Sequence, residues 1–342
     1  MRATISQLPS RVPGSSGIGD RTLKERRVVQ RSRLFKSESP PLKRAANQAS
    51  LWGLERAMRK LVLPLAPLLL LLICTPARGA KLQEETLRAW DDYRKLTEAR
   101  IEKELASKDG FLVRDFLDAR DRQQILSKIP SGVFVREMET RSEEGAKIEI
   151  PKGLVHHWYG TTFIPGVKVE EVVAFVQEYD RHKDYYAEVE DSRLVSRKAE
   201  VFDIFLRLRR KKILTVHYNT DHQVTYRSIG TGRAASRSEA TRIAEIESAG
   251  TPREKEKPVG DDQGFLWRLN SYWRSKQEDG GVVVECESIS LSRTIPLPIR
   301  WMVEPIINDV PRESLEAALL PLRKALGQPQ AQMGKTPALS ER

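Results

Sequence analysis

Cysteine and histidine are scarce in this chain of 342 residues, which holds two cysteines and five histidines. Cys74 lies in an apolar leader, so Cys286 has no disulfide partner in the rest of the chain and is predicted to be a small buried residue. His156 and His157 cannot both bind one ion, because adjacent strand residues point to opposite faces. We therefore predict no disulfide, no metal site and no cofactor.

Net charge is missing from most of the chain, although its total is +11. Residues 1–79 hold 15 Lys and Arg against 4 acidic residues, which leaves 43 of each sign from Ala80 onward. Affinity for nucleic acid depends mainly on positive charge that attracts phosphate. The chain after residue 79 is therefore not expected to bind DNA or RNA.

The main apolar run, Leu61–Ile73, has 13 residues and falls short of a membrane span, which needs about 20. It follows Met58-Arg59-Lys60 and precedes small residues that end at Gly79 and Ala80. This order is typical of a secretory signal. Residues 58–79 are predicted to be a signal peptide cleaved between Gly79 and Ala80, so that the protein is secreted or periplasmic. An uncleaved membrane anchor is the alternative.

The segment before Met58 is rich in Arg, Ser and Pro and has no sustained apolar period. Because a signal peptide works from the N-terminus, we hypothesise that translation begins at Met58; an organellar transit peptide is the rival. Residues 1–57 and 328–342 are predicted to be disordered, residues 80–130 to be a helical segment, and residues 131–327 to be one folded domain.

Apolar periodicity predicts helices first and then a long antiparallel meander. Helical spacing covers Glu84–Leu105 and 118–127, and returns from Val169. Strands are predicted at 133–138, 147–150 and 154–164, and the meander that follows has one apolar and one solvent-facing side. The loop 251–263, rich in Pro, Gly and charge, is predicted to be mobile. A last helix is predicted from Asn308 to Gly327, with a leucine stripe and a bend at Pro321.

The longest predicted hairpin is Gly264–Arg293, with its turn at 278–281, where Asp-Gly and Gly-Gly steps permit tight geometry. Alternation places large residues on one face of the first strand and small ones on one face of the second. These are Phe265, Trp267, Leu269 and Trp273, and Val282, Val284, Cys286, Ser288 and Ser290. The pattern predicts a sheet that leaves space over this face.

Several phrases resemble the START/SRPBCC superfamily, in particular a little-characterised bacterial branch of secreted proteins. They are GLVHHWYGTTFIPG at 153–166, YDRHKDYY at 179–186, SRSEATRIAEIE at 236–247, GFLWRLNSYWR at 264–274 and ECESISLSRTIP at 285–296. The resemblance covers residues 133–327 and implies an α+β helix-grip fold. In that fold a curved antiparallel sheet wraps a long C-terminal helix and encloses a pocket for lipids, sterols or polyketides. It implies no catalytic residues, because the superfamily has no shared set.

The predicted ligand contacts are side chains of the meander and the hairpin. They are His157, Tyr218, Tyr226, Arg242, Trp267, Leu269, Trp273, Ser288 and Ser290. The tryptophans are either core residues or ligand contacts, and one of His156 and His157 faces inward as a core residue or a base.

Arg242 shares a predicted inward row with Ala240, Ala244 and Ile246. There it would anchor a ligand carboxylate or phosphate, form an internal ion pair, or reach the rim. Three residues of the loop after the Val169 helix, Asp180, His182 and Tyr185, either gate the pocket or cap the helix.

We therefore expect an exported protein that binds or carries a lipid-like, apolar or amphipathic small molecule without catalysis, with peripheral membrane contact as a further interaction. Two other functions stay open. One is a cyclase/dehydrase-type enzyme that uses His156 or His157 with a tyrosine as acid and base. The other is an envelope interaction module whose pocket is filled by its own side chains. The sequence sets no oligomeric state.

Overall fold

A nine-stranded antiparallel sheet organises the part of the chain that the computed structural model describes, residues 80–212, 214–295 and 297–327. Its strand order is β2-β3-β11-β10-β7-β6-β5-β4, and the short β8 pairs with β7. The strands are β1 (Ala80–Lys81), β2 (Val133–Glu137), β3 (Gly153–Pro165), β4 (Val189–Lys198), β5 (Val201–Lys211), β6 (Thr215–Ser228), β7 (Arg233–Glu247), β8 (Lys255–Glu256), β9 (Asp261–Asp262), β10 (Arg268–Glu278) and β11 (Gly281–Arg293). β1 and β9 form a separate pair.

Five α-helices accompany the sheet in the described ranges. They are α1 (Glu84–Leu105), α2 (Ala119–Lys128), α3 (Val169–Val176), α4 (His182–Tyr185) and α5 (Leu297–Leu326), with single 3₁₀ turns at Val113–Phe116 and Tyr179–Arg181. None of these helices has the length and apolar character that a membrane span requires. The predicted signal peptide, the segment before it and the predicted tail lie outside the described residues.

The inner face of the sheet is the face that packs against α3 and the C-terminal part of α5. Leu319 and Leu322 of α5 form one buried cluster with Ile164, Val282 and Val284. The helix approaches closely because β3 has Gly160 at this point: a Cβ there would lie 2.8 Å from the Leu319 Cδ1 atom. The last helix therefore lies directly on the central strands.

The outer face packs against α1 and the segment that follows it. Trp90, Tyr93 and Ile101 lie on the buried side of α1, at the spacing of one helical face, and join Ile289 and Leu291 of β11 in one apolar cluster. Ion pairs one turn apart, such as Arg94 with Glu98, lie beside this buried side, with both side chains about one fifth exposed. The N-terminal helical segment and the sheet thus share one core.

The prediction that the meander has one apolar and one solvent-facing side is confirmed for β5–β7, whose outer face has exposed side chains such as Arg227 and Arg237. On β10 and β11 the outer face is covered by α1.

Three local predictions are wrong in the structure. Residues 147–150 form only an isolated bridge between Lys147 and Arg141. The last helix begins at Leu297, well before Asn308, and continues through Pro311 and Pro321. The segment 251–263, predicted to be a loop, contains β8 and β9, each paired with another strand.

Candidate ligand-binding face

Apolar clusters border the inner face on two sides. Toward the β4 edge, Phe202, Ile204, Val224 and Tyr226 pack under Tyr179 and the side of α3. Toward β3, the cluster of Ile164, Val282 and Val284 packs under α5. The inner surface between them belongs to β7, β10 and β11, and small residues, many of them serines, surround Leu269 and Trp273 there.

Strand register aligns these small residues. Ser271 of β10 pairs with Ser288 of β11 on one side and with Ser238 of β7 on the other. Directly opposite residues share a face, so the three hydroxyls form one row across the sheet. Ser236 and Ser290 lie two positions along their strands on the same face. We call the set Ser236, Ser238, Ser271, Ser288 and Ser290 the serine band; all five are half-buried.

Two histidines flank the serine band on the same face. His156 pairs in register with Ser290, and its Nε2 atom lies 2.9 Å from the Ser292 hydroxyl. His222 hydrogen-bonds the Thr220 hydroxyl at 2.9 Å. Burial lowers the pKa of both imidazoles to about 4, so both rings are neutral at pH 7.

Most of the predicted contacts lie on the inner face. Ser288, Ser290, Leu269 and Trp273 are half-buried there. Tyr218 is buried in a cluster with Ala240 and Ile243, and the Tyr226 hydroxyl lies 2.5 Å from that of Tyr179. The structure thus brings six of the nine predicted contacts to one surface, and their role toward a ligand stays a prediction.

His157 lies on the outer face, so the inward histidine is His156. The His157 Nε2 atom is 2.7 Å from Glu287 Oε1, and the His157 Nδ1 atom is 2.8 Å from the Tyr93 hydroxyl. The Thr140 backbone N–H donates to that hydroxyl, so the tyrosine proton points to Nδ1 and the Nε2–H group donates to Glu287. The imidazole is 2% exposed and is enclosed by α1, away from the inner face.

The same outer face carries a larger network of buried charges. Arg100 of α1 pairs with Glu287, and Arg274 donates to Glu104 of α1 at 2.6 Å. Glu285 accepts from the Tyr159 hydroxyl at 2.5 Å and from the Val113 N–H at 2.7 Å. Burial raises the pKa of Glu285 to about 7, against the lowering effect of the Arg274 charge. These contacts fix α1 to the sheet through charge as well as apolar area.

Arg242 faces outward, and the prediction that it lies in an inward row is wrong. In the β6–β7 register, His222 pairs with Ala240, but the next residue back, Asp221, pairs with Arg242. This β-bulge adds one residue to β7 and reverses its alternation. Ile243 therefore turns inward, while Arg242 turns outward and pairs with Glu256. Its side chain is 38% exposed.

Trp267 and the predicted gate residues have local partners. Trp267 precedes β10, packs in the outer cluster and donates from Nε1 to Asp262. Asp180 accepts from the backbone N–H of Leu194 in β4, which fixes the turn to the sheet. His182 contacts the Val176 carbonyl, and the Tyr185 ring packs on Phe175. The connection between α3 and β4 is therefore held to both elements by these three side chains.

Sequence reasoning missed three of the five serines of the serine band, and it missed the outer charge network. Ser271 lies two residues from both Leu269 and Trp273, and Ser236 and Ser238 lie four and two residues before Ala240. Because alternate strand residues share a face, the two-residue period could have assigned these serines to the inner face. The charges of Glu285 and Glu287 gave no such signal, because only the position of α1 makes them buried. Among the described residues, no cluster of three or more His, Cys, Asp and Glu side chains could hold a metal ion.

Comparison with known proteins gives similarity to solved structures only. No family model matches the chain, and no curated protein matches it. A STAR-related lipid transfer protein from Xanthomonas axonopodis is 17% identical, with a TM-score of 0.41 over 58% of this chain and 95% of that one. Human STARD10 is 12% identical, with a TM-score of 0.35 over 65% and 83%. The Zhui aromatase/cyclase from a Streptomyces species is 14% identical, with a TM-score of 0.31 over 51% and 94%.

The fold is established by its own connectivity. Strands β4–β7, β10 and β11 follow one another as an antiparallel meander, and β3 closes beside the last strand. The helix after β3 and the long C-terminal helix lie on the same, inner face. This arrangement confirms the expectation drawn from the sequence: the described chain has a START/SRPBCC-like, α+β helix-grip fold.

Proposed function

We propose that this protein binds a lipid-like, apolar or amphipathic small molecule on the inner face of its sheet, between the serine band and α5. The observation that carries the proposal is the serine band itself. A closed core places large apolar side chains on the covered face of a sheet, whereas here five serines occupy the centre and remain half-buried. Apolar clusters on either side give the surface the composition of a small-molecule site.

The expected mechanism is sequestration. Trp158, Leu269 and Trp273 are half-buried around the serines and offer apolar area to a ligand. Burial of about 300 Å² of apolar surface contributes about 7 kcal/mol, and part of this is lost in ordering the ligand. An affinity in the micromolar range follows for a ligand of that size.

The enzymatic alternative has less support. A histidine with a tyrosine partner does occur, as His157 with Tyr93, but this pair lies on the outer face under α1 and is 2% and 4% exposed. A substrate on the inner face would not reach it. His156 does lie on the inner face, with Ser292 as its hydrogen-bond partner.

Two measurements test the proposal. Native mass spectrometry of the protein from cells that naturally produce it should show a bound small molecule. Titration with the neutral dye Nile red should give a saturable fluorescence rise that Ser288→Leu weakens at least about 10-fold by filling the site. Ser127→Leu, at an exposed serine of α2, is the control. A protein without co-purified ligand that also fails to bind Nile red would support the filled interaction module instead.

We further propose that the protein acts outside the cytoplasm. The support is the order of basic residues, apolar run and small residues across 58–79. N-terminal sequencing of the natural product should find Ala80 as the first residue. Peptides from residues 1–57 would contradict a start at Met58, and a product that retains Leu61–Ile73 would support the uncleaved anchor.

A further inference from the structure

The serine band defines a regular set of hydroxyl groups. Ser238, Ser271 and Ser288 lie on three neighbouring strands, and neighbouring strands are about 4.8 Å apart. The three hydroxyls therefore span about 10 Å across the sheet. Trp158 ends the row on β3, opposite Ser288, and Val224 ends it on β6, opposite Ser238. A hydroxyl both donates and accepts, so this row can bond oxygen groups of either kind.

The strands that carry the row have no charged residue beside it on this face. Charged inner-face residues lie farther out, at Glu137 of β2, Arg210 of β5 and Glu245 of β7 beyond the bulge. The inner-face positions of β3, β6, β10 and β11 that the structure describes have no Asp, Glu, Lys or Arg, and the same holds for β7 from Ala234 to Ala240. The flanking His156 and His222 are neutral because burial lowers the pKa of each to about 4. The charged residues of β10 and β11, such as Glu285, Glu287 and Arg274, lie on the outer face.

From this arrangement we propose that the ligand is an uncharged molecule with two or more hydroxyl or carbonyl oxygens, about 5–10 Å apart, on an apolar framework. This inference rests on the proposed function and specifies the substrate class of the same site. The oxygens would bond the row formed by Ser238, Ser271 and Ser288, while the framework contacts Trp158 and Leu269.

Two simpler ligand classes fit this surface less well. A carboxylate or phosphate on the serine band would be removed from water with no cation at the inner-face positions of β3, β6, β10 and β11 or of β7 from Ala234 to Ala240, which is strongly unfavourable. A pure hydrocarbon would cover the row without offering Ser271 or Ser288 a hydrogen bond, while Ser238 keeps its 3.4 Å contact with His222 Nδ1; covering hydroxyls in this way also costs free energy. A neutral, oxygenated ligand avoids both losses.

The test uses three steroids with one framework, each delivered from cyclodextrin to the full chain and followed by quenching of tryptophan fluorescence. 7-Ketocholesterol has two neutral oxygens on adjacent rings, 5α-cholestane has none, and cholesteryl sulfate has a charge. We expect 7-ketocholesterol to bind at least about 10-fold more tightly than the other two, as expected for the loss of two hydrogen bonds or the burial of an unpaired charge.

The variants separate hydrogen bonding from shape. The triple variant Ser238→Ala, Ser271→Ala and Ser288→Ala should weaken 7-ketocholesterol binding about 10-fold or more and should change cholestane binding less than about 2-fold. Ser127→Ala is the matched control, and circular dichroism confirms that each variant is folded. Unchanged 7-ketocholesterol binding by the triple variant would overturn the inference.

The outcomes also separate this inference from the proposed function. Binding of cholestane or cholesteryl sulfate as tight as that of 7-ketocholesterol would overturn the neutral, oxygenated ligand and leave the proposed site in place. Failure of all three steroids and of Nile red, with no small molecule in the natural protein, would overturn the proposed function itself.

Discussion

The two faces of the β10–β11 hairpin are closed in different ways. On the outer face, Glu285, Glu287, Ile289 and Leu291 are at most 1% exposed, and α1 with the segment after it covers them. On the inner face, the serine band on the same and the neighbouring strands remains half-buried. One sheet therefore carries a filled, charge-linked surface and an incompletely filled, neutral one.

This difference separates stability from binding. A fully packed surface tolerates little change in volume or charge, whereas a surface built to receive a ligand is held in shape by its surroundings. The outer network fixes the backbones of β10 and β11, and so their inner side chains keep their register without having to pack against each other. Substitutions on the two faces should therefore have different effects, and four experiments with six substitutions can test this.

The largest effect is expected at Arg274 on the outer face. Its guanidinium is 2% exposed and donates to Glu104 and to the Phe111 carbonyl. Arg274→Met removes a buried charge, leaves the Phe111 carbonyl without this donor and leaves Glu104 with Arg100 as its remaining partner. It should therefore lower the free energy of unfolding by about 3–5 kcal/mol. Urea denaturation at pH 7 measures this value.

The matched control is Arg237→Met on the same face. Its side chain is 44% exposed and pairs with Glu98, so its loss should cost less than about 1 kcal/mol. Equal effects of the two substitutions would show that the outer network does not stabilise the fold.

The sequence predicted the inner face better than the outer one, for a physical reason. Period-two alternation in VVVECESISL assigns Ser288 and Ser290 to one face without knowledge of any other segment. The burial of Glu287 depends on Arg100, 187 residues earlier in the chain, and no local pattern contains that contact.

Local irregularity explains the other errors. Alternation fails at Arg242, because a bulge adds one residue to β7 and reverses every position after it. It also fails at Trp267, which precedes β10 and does not follow the strand pattern. The helix-grip order, by contrast, follows from element types alone, so it was predictable.

The next effect is a pH dependence from the inner-face histidines. Burial lowers the pKa of His222 to about 4, below the ordinary value of about 6.5. Between these values the unfolded chain binds more protons than the folded one, so the free energy of unfolding falls as the pH falls. For His222 the loss from pH 7 to pH 5 is about 2 kcal/mol.

His222→Gln removes this dependence while the amide can still bond the Thr220 hydroxyl. Urea denaturation of both proteins at pH 7 and pH 5 should show a decrease that is about 2 kcal/mol smaller in the variant. An identical decrease in both would mean that His222 is protonated in the fold, and the inner face would then not be neutral in mild acid.

A smaller difference separates two small residues on opposite faces. Ala235 is outer and buried at 6% exposure, so Ala235→Leu should overpack the core and cost about 1–3 kcal/mol. Ser271 is inner and half-buried, so Ser271→Leu should cost less than about 1 kcal/mol because the new side chain enters space kept for a ligand. Thermal or urea denaturation without ligand measures both. A cost at Ser271 equal to that at Ala235 would indicate that the protein's own side chains fill the inner face.

The smallest effect is expected at Arg242, where the bulge decides between two roles. If alternation continued through β7, Arg242 would face inward and its removal would abolish a cationic anchor for an anionic ligand. The bulge turns it outward to the exposed Glu256, and an exposed pair of this kind contributes less than about 1 kcal/mol. Arg242→Ala should therefore change neither the free energy of unfolding beyond that value nor the affinity for Nile red by more than about 2-fold. A large loss of affinity with normal stability would place the guanidinium in the binding site. The outward turn of β7 after Ala240 would then be wrong, and with it the uncharged character of the inner face.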